Sequence, residues 1–110
     1  MGTTKKQLFS VEQNELAKLA KVLGHPARIA IMQHMIKSKE CINSDLVKEL
    51  GLAQATISQH LKELKNIDII KGTIEGASVN YCINKNKWTK MKTSFNFLFD
   101  QPFECKKENC

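Results

Sequence analysis

No stretch of this 110-residue sequence approaches the ~20 apolar residues that a membrane span needs. Its first ten residues, MGTTKKQLFS, lack the apolar region of a secretory signal. Both absences place the expected protein in the cytoplasm, away from membranes. There is no Gly-rich phosphate loop and no nucleophile with a local base partner, so an enzyme is not expected. Internal repeats and low-complexity tracts are also missing. Cysteine is sparse: Cys41, Cys82, Cys105 and Cys110. In a reducing compartment these four are expected as thiols, suited to metal binding or redox chemistry rather than to a disulfide framework.

What is present describes one globular domain. Hydrophobic residues make up 42% and charged residues 25% of the chain, which is too apolar for a disordered one. The charge balance is 17 basic against 11 acidic residues, or +6, and favours a polyanionic partner.

The stretch Leu52 to Asn66, LAQATISQHLKELKN, organises the rest. Ile57, Leu61 and Leu64 fall on one face of a helix. Ala55, Ser58, Gln59 and Lys62 lie on the other. Small, hydrogen-bonding side chains at the front of a helix suit close approach to DNA base edges and phosphates.

The flanking elements fit that use. Ser10 with Gln13 forms a capping box, and Leu16, Leu19, Ala20 and Leu23 line the helix it opens. Pro26 starts a second helix, on which Ile29, Met32 and Ile36 share a face with Met35 beside them. Asn43 or Ser44 caps a short third helix with Leu46, Val47 and Leu50 on its buried side, closed by Gly51. Helix, Gly turn, helix is the helix-turn-helix pattern.

After Asn66 the period becomes alternating. Ile70, Gly72 and Ile74 lead to a turn at Glu75 to Ser78, and Val79, Tyr81 and Ile83 return. Asn84 or Asn86 caps a last helix from Lys87 to about Asp100. The fold expected is mainly α with a small β-hairpin wing: a winged helix-turn-helix over residues 10–100. Residues 1–9 form a flexible arm, and residues 101–110 a tail carrying Cys105 and Cys110.

Trp88, Met91, Phe95, Leu98 and Phe99 give the last helix a wide apolar stripe. With a core already supplied by the other elements, this stripe is assigned to a homodimer contact shared with the first helix. The contact residues are Leu16, Leu19, Leu23, Trp88, Met91, Phe95 and Leu98. Two-fold symmetry sets the reading helices roughly 34 Å apart, one DNA turn, on a palindromic site.

Three segments, LGHPARIAIM (Leu23 to Met32), DLVKELGLAQATISQHLKELKNIDIIKGTIEG (Asp45 to Gly76) and VNYCIN (Val79 to Asn84), resemble the ArsR/SmtB family of bacterial metal-responsive repressors. The resemblance implies a homodimeric winged helix that represses its operon until an inducer lowers its affinity for a double-stranded DNA operator. It places Gln54, Ala55, Ser58 and Gln59 at DNA-contacting positions. Helix geometry adds Thr56, Lys62 and Lys65 as phosphate contacts, with Lys71 and then Ser78 in the wing. His60 flanks the apolar face and is assigned to packing or a phosphate.

One sensor type in such proteins uses carboxylate and His ligands on the last helix. No histidine follows His60 here, so that site is not expected. The arsenic type uses thiolates, and As(III) or Sb(III) prefers about three in a pyramidal arrangement. In its usual Cys-x-Cys-Asp-Leu-Cys word, aligned on Asp45-Leu46, the cysteine positions hold Ile42, Ser44 and Val47, with Cys41 just outside. The metalloid set expected is therefore Cys41 with Cys105 and Cys110, the last two activated by Lys106 and Lys107 between them. Cys82 is assigned to packing. No obligatory cofactor is expected. The alternatives are the same fold sensing oxidant, persulfide or a soft divalent metal through its cysteines, and a winged helix used against another protein.

Overall fold

The first helix begins where its capping signal does. The Ser10 hydroxyl accepts from the Gln13 backbone N–H at 3.0 Å, and the Gln13 side chain accepts from the Ser10 N–H at 2.9 Å. This closed box opens α1, Val11–Leu23. Two residues later the His25 ring caps α2, Pro26–Ser38, accepting from the Ala27 N–H at 3.1 Å, with Pro26 in the first turn. A computed structural model describes residues 8–39, 41–43, 49–75 and 78–106. The expected short helix after Asn43 falls largely on residues 44–48, outside the described residues, as does the hairpin tip at 76–77; Glu49 and Leu50 are helical.

Gly51 has φ +68°, a conformation that a side chain would strain, and it turns the chain toward α3, Gln54–Asn66. After α3 come β1, Ile70–Glu75, and β2, Ser78–Ile83, paired antiparallel from Ile70 with Ile83 to Glu75 with Ser78. Asn84 rather than Asn86 caps α4, Lys85–Phe99, accepting from the Lys87 N–H at 3.3 Å.

The core joins helices α1 to α4 and β1, with Tyr81 and Ile83 of β2 packed against it. Leu19 of α1, Ile31, Met32 and Met35 of α2, Ile57, Leu61 and Leu64 of α3, Ile70 of β1 and Met91 of α4 are all buried, with Ile42, Ile67 and Ile69 between them. One face was misjudged from the sequence. Ile29 and Ile36 are 41% and 48% exposed, and α2 instead buries Ile31, Met32 and Met35. Packing of α2 against its neighbouring helices puts Ile31, Met32 and Met35 in the shared core and leaves the Ile29–Ile36 edge outside it.

The hairpin has a further neighbour. Ile42 and Tyr81 exchange both backbone hydrogen bonds, at 2.8 and 2.7 Å, which lays the segment after α2 against β2. In an antiparallel ladder the residue pair next to such a bonded pair is a close, non-bonded one, with Cα atoms about 4.5 Å apart. Cys41 and Cys82 occupy that pair. Their Cα atoms are 4.4 Å apart and their sulfurs are joined. The expectation of free thiols is corrected here: the ladder register brings together two cysteines 41 residues apart in sequence.

The link closes a long loop that contains the whole helix-turn-helix. By chain entropy it constrains the unfolded chain by about 4 kcal/mol at most. Denaturant titration of wild type against Cys82→Ser should show a lower midpoint in the variant, reproduced in wild type by reductant. An unchanged midpoint would mean that the loop stays restrained without the bond.

Candidate nucleic-acid interface

The interface is built on the rotation of α3. Ile57 and Leu64 are fully buried and Leu61 is 3% exposed, so one face is fixed against the core. Gln54, Ala55, Thr56, Ser58, Gln59 and Lys62 are consequently exposed on the outer side. The N-cap of α3 is Ala53, whose methyl group makes no side-chain cap. Its first-turn N–H groups are thus left unclaimed by a capping side chain, at the end that carries Gln54 and Ala55.

The polar side chains are pre-ordered along the helix. Gln54 donates to the Ser58 hydroxyl at 3.2 Å, and Gln59 donates to the Glu63 carboxylate at 3.2 Å. Glu63, not singled out from the sequence, holds Gln59 one turn along the helix. Lys65 departs from a simple outward position. A Cβ built on Gly72 would lie 3.3 Å from the Lys65 ammonium and 3.3 Å from the Tyr81 ring. Lys65 therefore reaches across to the wing at the one strand residue with no side chain. Lys71, next to it on β1, is exposed.

His60 is buried, at 7% exposure, and reads no base. The Arg28 Nε–H donates to its Nδ1 at 3.1 Å, so the neutral ring carries its proton on Nε2. Arg28 also donates to the Val22 carbonyl at 3.0 Å, and the His25 ring lies 4.5 Å from that of His60. This cluster bolts the middle of α3 to the start of α2. The sequence left His60 to packing or a phosphate, and the structure packs it; Arg28, the chain's only arginine, was not singled out. The signal available was its i+3 spacing from His25 at a helix start.

The remaining expected site residues separate. Leu19 and Met91 are 2% and 4% exposed within one chain, so they belong to its own core and not to a contact between copies. Leu23, Trp88 and Phe95 are half-buried against that core, and Leu16 is half-buried on α1. Leu98 is 53% exposed, beside Phe97 and Phe99 at 72% and 71%. The expected metalloid set of Cys41, Cys105 and Cys110 is not assembled: Cys41 is committed to Cys82, and Cys105 is also disulfide-bonded. Cys110 lies outside the described residues. Among the described residues no group of three or more potential ligands gathers around one point. No described helix is long and apolar enough to cross a membrane.

Residues 25–71 match the family model described as "Bacterial regulatory protein, arsR family". The transcriptional repressor PagR of Bacillus anthracis is 32% identical over 71 residues, covering 64% of this chain and 71% of PagR. The chain belongs to the arsR family of bacterial regulatory proteins. A second relative, the HTH-type transcriptional repressor SmtB of Mycobacterium tuberculosis, is 38% identical over 64 residues, 58% of this chain and 47% of SmtB. The chain thus spans under half the length of SmtB. An ArsR-like transcriptional regulator from Rhodococcus sp. RHA1 superimposes with a TM-score of 0.65 at 16% identity, over 80% of this chain and 82% of that one, which shows the shared winged-helix fold. The matched segment begins at His25 and ends at Lys71, so it holds the His25–Arg28–His60 cluster and all of α3.

Burial first, and then electrostatic interaction with His25 and Arg28, push the His60 pKa below the ordinary histidine value. Its folded-state pKa is depressed, so the unfolded chain takes up the proton first as pH falls below about 6.5. The contribution of His60 is complete above that pH and is lost progressively beneath it. Unfolding titrations between pH 8 and 5.5 should show a smaller acid-side loss in His60→Gln than in wild type. Identical slopes would remove His60 as the source.

Proposed function

We propose that the chain is a transcriptional repressor that binds a palindromic double-stranded operator as a homodimer, with the front of α3 in the major groove and the hairpin over the adjoining backbone. The observation that carries this reading is the fixed, outward polar face of Gln54, Ala55, Thr56, Ser58 and Gln59. Glutamine pairs in bidentate fashion with adenine N6 and N7, and serine bonds to any base. With the only arginine turned inward, Lys62, Lys65 and Lys71 supply phosphate contacts. Leu98, Phe97 and Phe99 on α4, with the exposed Val11 on α1, supply apolar surface for the second copy.

The relatives reported are regulators, and no catalytic step is proposed. For the signal, the geometry favours the cysteine alternative over a three-thiolate metalloid centre. Cys41 and Cys82 form a dithiol–disulfide couple that ties the wing to the segment entering the helix-turn-helix. Changing that tie changes how firmly the wing is held relative to α3. A coupling of about 1–3 kcal/mol alters operator occupancy several-fold or more.

Operator binding by titrated variants tests both parts. Ser58→Ala and Gln59→Ala should each weaken specific binding by about 1–3 kcal/mol, and Lys62→Gln should weaken binding uniformly with a shallower salt dependence. Full affinity in both alanine variants would take α3 out of the groove. Reductant, peroxide and arsenite applied to wild type and to Cys82→Ser should separate the signals. Wild type should respond to reductant or oxidant and the variant should not; equal arsenite release from both would return the sensor to another thiol set.

A further inference from the structure

The Cys41–Cys82 link does not close onto solid core. Both residues line an open cleft of about 590 Å³ between the end of α2 and the start of α4. Met35, Ile36, Ile83 and Trp88 form apolar walls. Lys39 and Lys85 also line it, and they are the only charged lining residues among those described. Lys39 ends α2 in a left-handed conformation, φ 59°, two residues before Cys41. Lys85 opens α4 two residues after Ile83, the strand neighbour of Cys82. Cys41 is exposed and Cys82 half-buried. An exposed disulfide, apolar walls and two ammonium groups thus share one cleft.

The geometry points to this cleft as a thiol-exchange site for small anionic thiols: the body of the reagent lies on the apolar wall and its carboxylate meets Lys39 and Lys85 while its sulfur attacks the link. This rests on the signal reading above and names the reactant class. The chemistry balances without a metal. A thiolate RS⁻ attacks the Cys41 sulfur, the Cys41–Cys82 bond breaks, and an RS–S–Cys41 mixed disulfide forms as Cys82 leaves as a thiolate. A second RS⁻ attacks the reagent sulfur and releases RSSR and the Cys41 thiolate. Two electrons pass from two reagent thiols to the link, and both cysteine thiolates take protons from water according to pH. The lysines act twice. They concentrate the anionic reagent, and they favour the leaving thiolate.

The test measures reduction of the link in full-length chain carrying Cys105→Ser and Cys110→Ser, by quenching, alkylation and mass analysis. The reagents are 3-mercaptopropionate, 2-mercaptoethanol and cysteamine: anionic, neutral and cationic at similar size. Each rate is corrected to thiolate concentration and divided by the rate of the same reagent on an unstructured peptide disulfide. The anionic reagent should exceed the neutral one by about three- to tenfold, and the cationic one should fall below it, as expected for two unit charges several ångströms away. Added salt should compress the ranking. Lys39→Gln with Lys85→Gln, both at exposed positions, should abolish it. No ranking in wild type, or the same ranking in the lysine variant, overturns the proposal. Operator affinity measured on the same samples separates the two readings: a ranking with no change in affinity on reduction leaves the site standing and removes its regulatory role.

Discussion

Burial of Ile57, Leu61 and Leu64 is the constraint on which the structure depends. Three side chains on successive turns, none more than 3% exposed, fix the rotation of α3 about its own axis. A change of one residue in that rotation would carry Ser58 inward and Ile57 out. The opposing surface comes from α2, through Ile31, Met32 and Met35, and from the strand entrance at Ile67, Ile69 and Ile70. Polar contacts then finish what apolar packing starts. Arg28 spans from the Val22 carbonyl to the His60 ring, so the end of α1, the start of α2 and the middle of α3 are held by one guanidinium.

Much of this was legible in the residues. The Ser10–Gln13 box, Pro26, the period of α3, the alternation of the strands and the Asn84 cap are local signals, and each is decided within a few residues of itself. The misreadings share a different origin. Ile29 and Ile36 form a plausible helical face, and only the seating of α2 against α3 shows that Ile31 is the inward residue. Leu19 and Met91 look like contact residues for a second copy until the chain's own packing encloses them. Cys82 looks like a strand filler because its partner lies 41 residues away. That pairing follows from the Ile42–Tyr81 register, which no local pattern contains.

The hairpin is more than a flap on the end of the core. Its strand β2 has β1 on one side and the Ile42 segment on the other, so the wing shares a ladder with the chain that leads into the helix-turn-helix. Gly72 leaves room over the strand for the Lys65 ammonium and the Tyr81 ring, which brings the C-terminal end of α3 against the wing. The wing is in this way joined to α3 across the Gly72 gap, and to the segment after α2 through backbone pairing and one covalent bond. In the reading proposed above, a chemical event at the bond would act on a hairpin that already packs against α3.

The inward commitment of Arg28 has a consequence for the charge on that surface. Every cation that α3 and β1 offer there is a primary amine: Lys62, Lys65 and Lys71. Amines acylate and guanidinium groups resist it, so acetyl transfer would remove these three exposed charges one residue at a time, and with them the phosphate contacts proposed for α3 and β1, with the fold's own arginine clamp left intact.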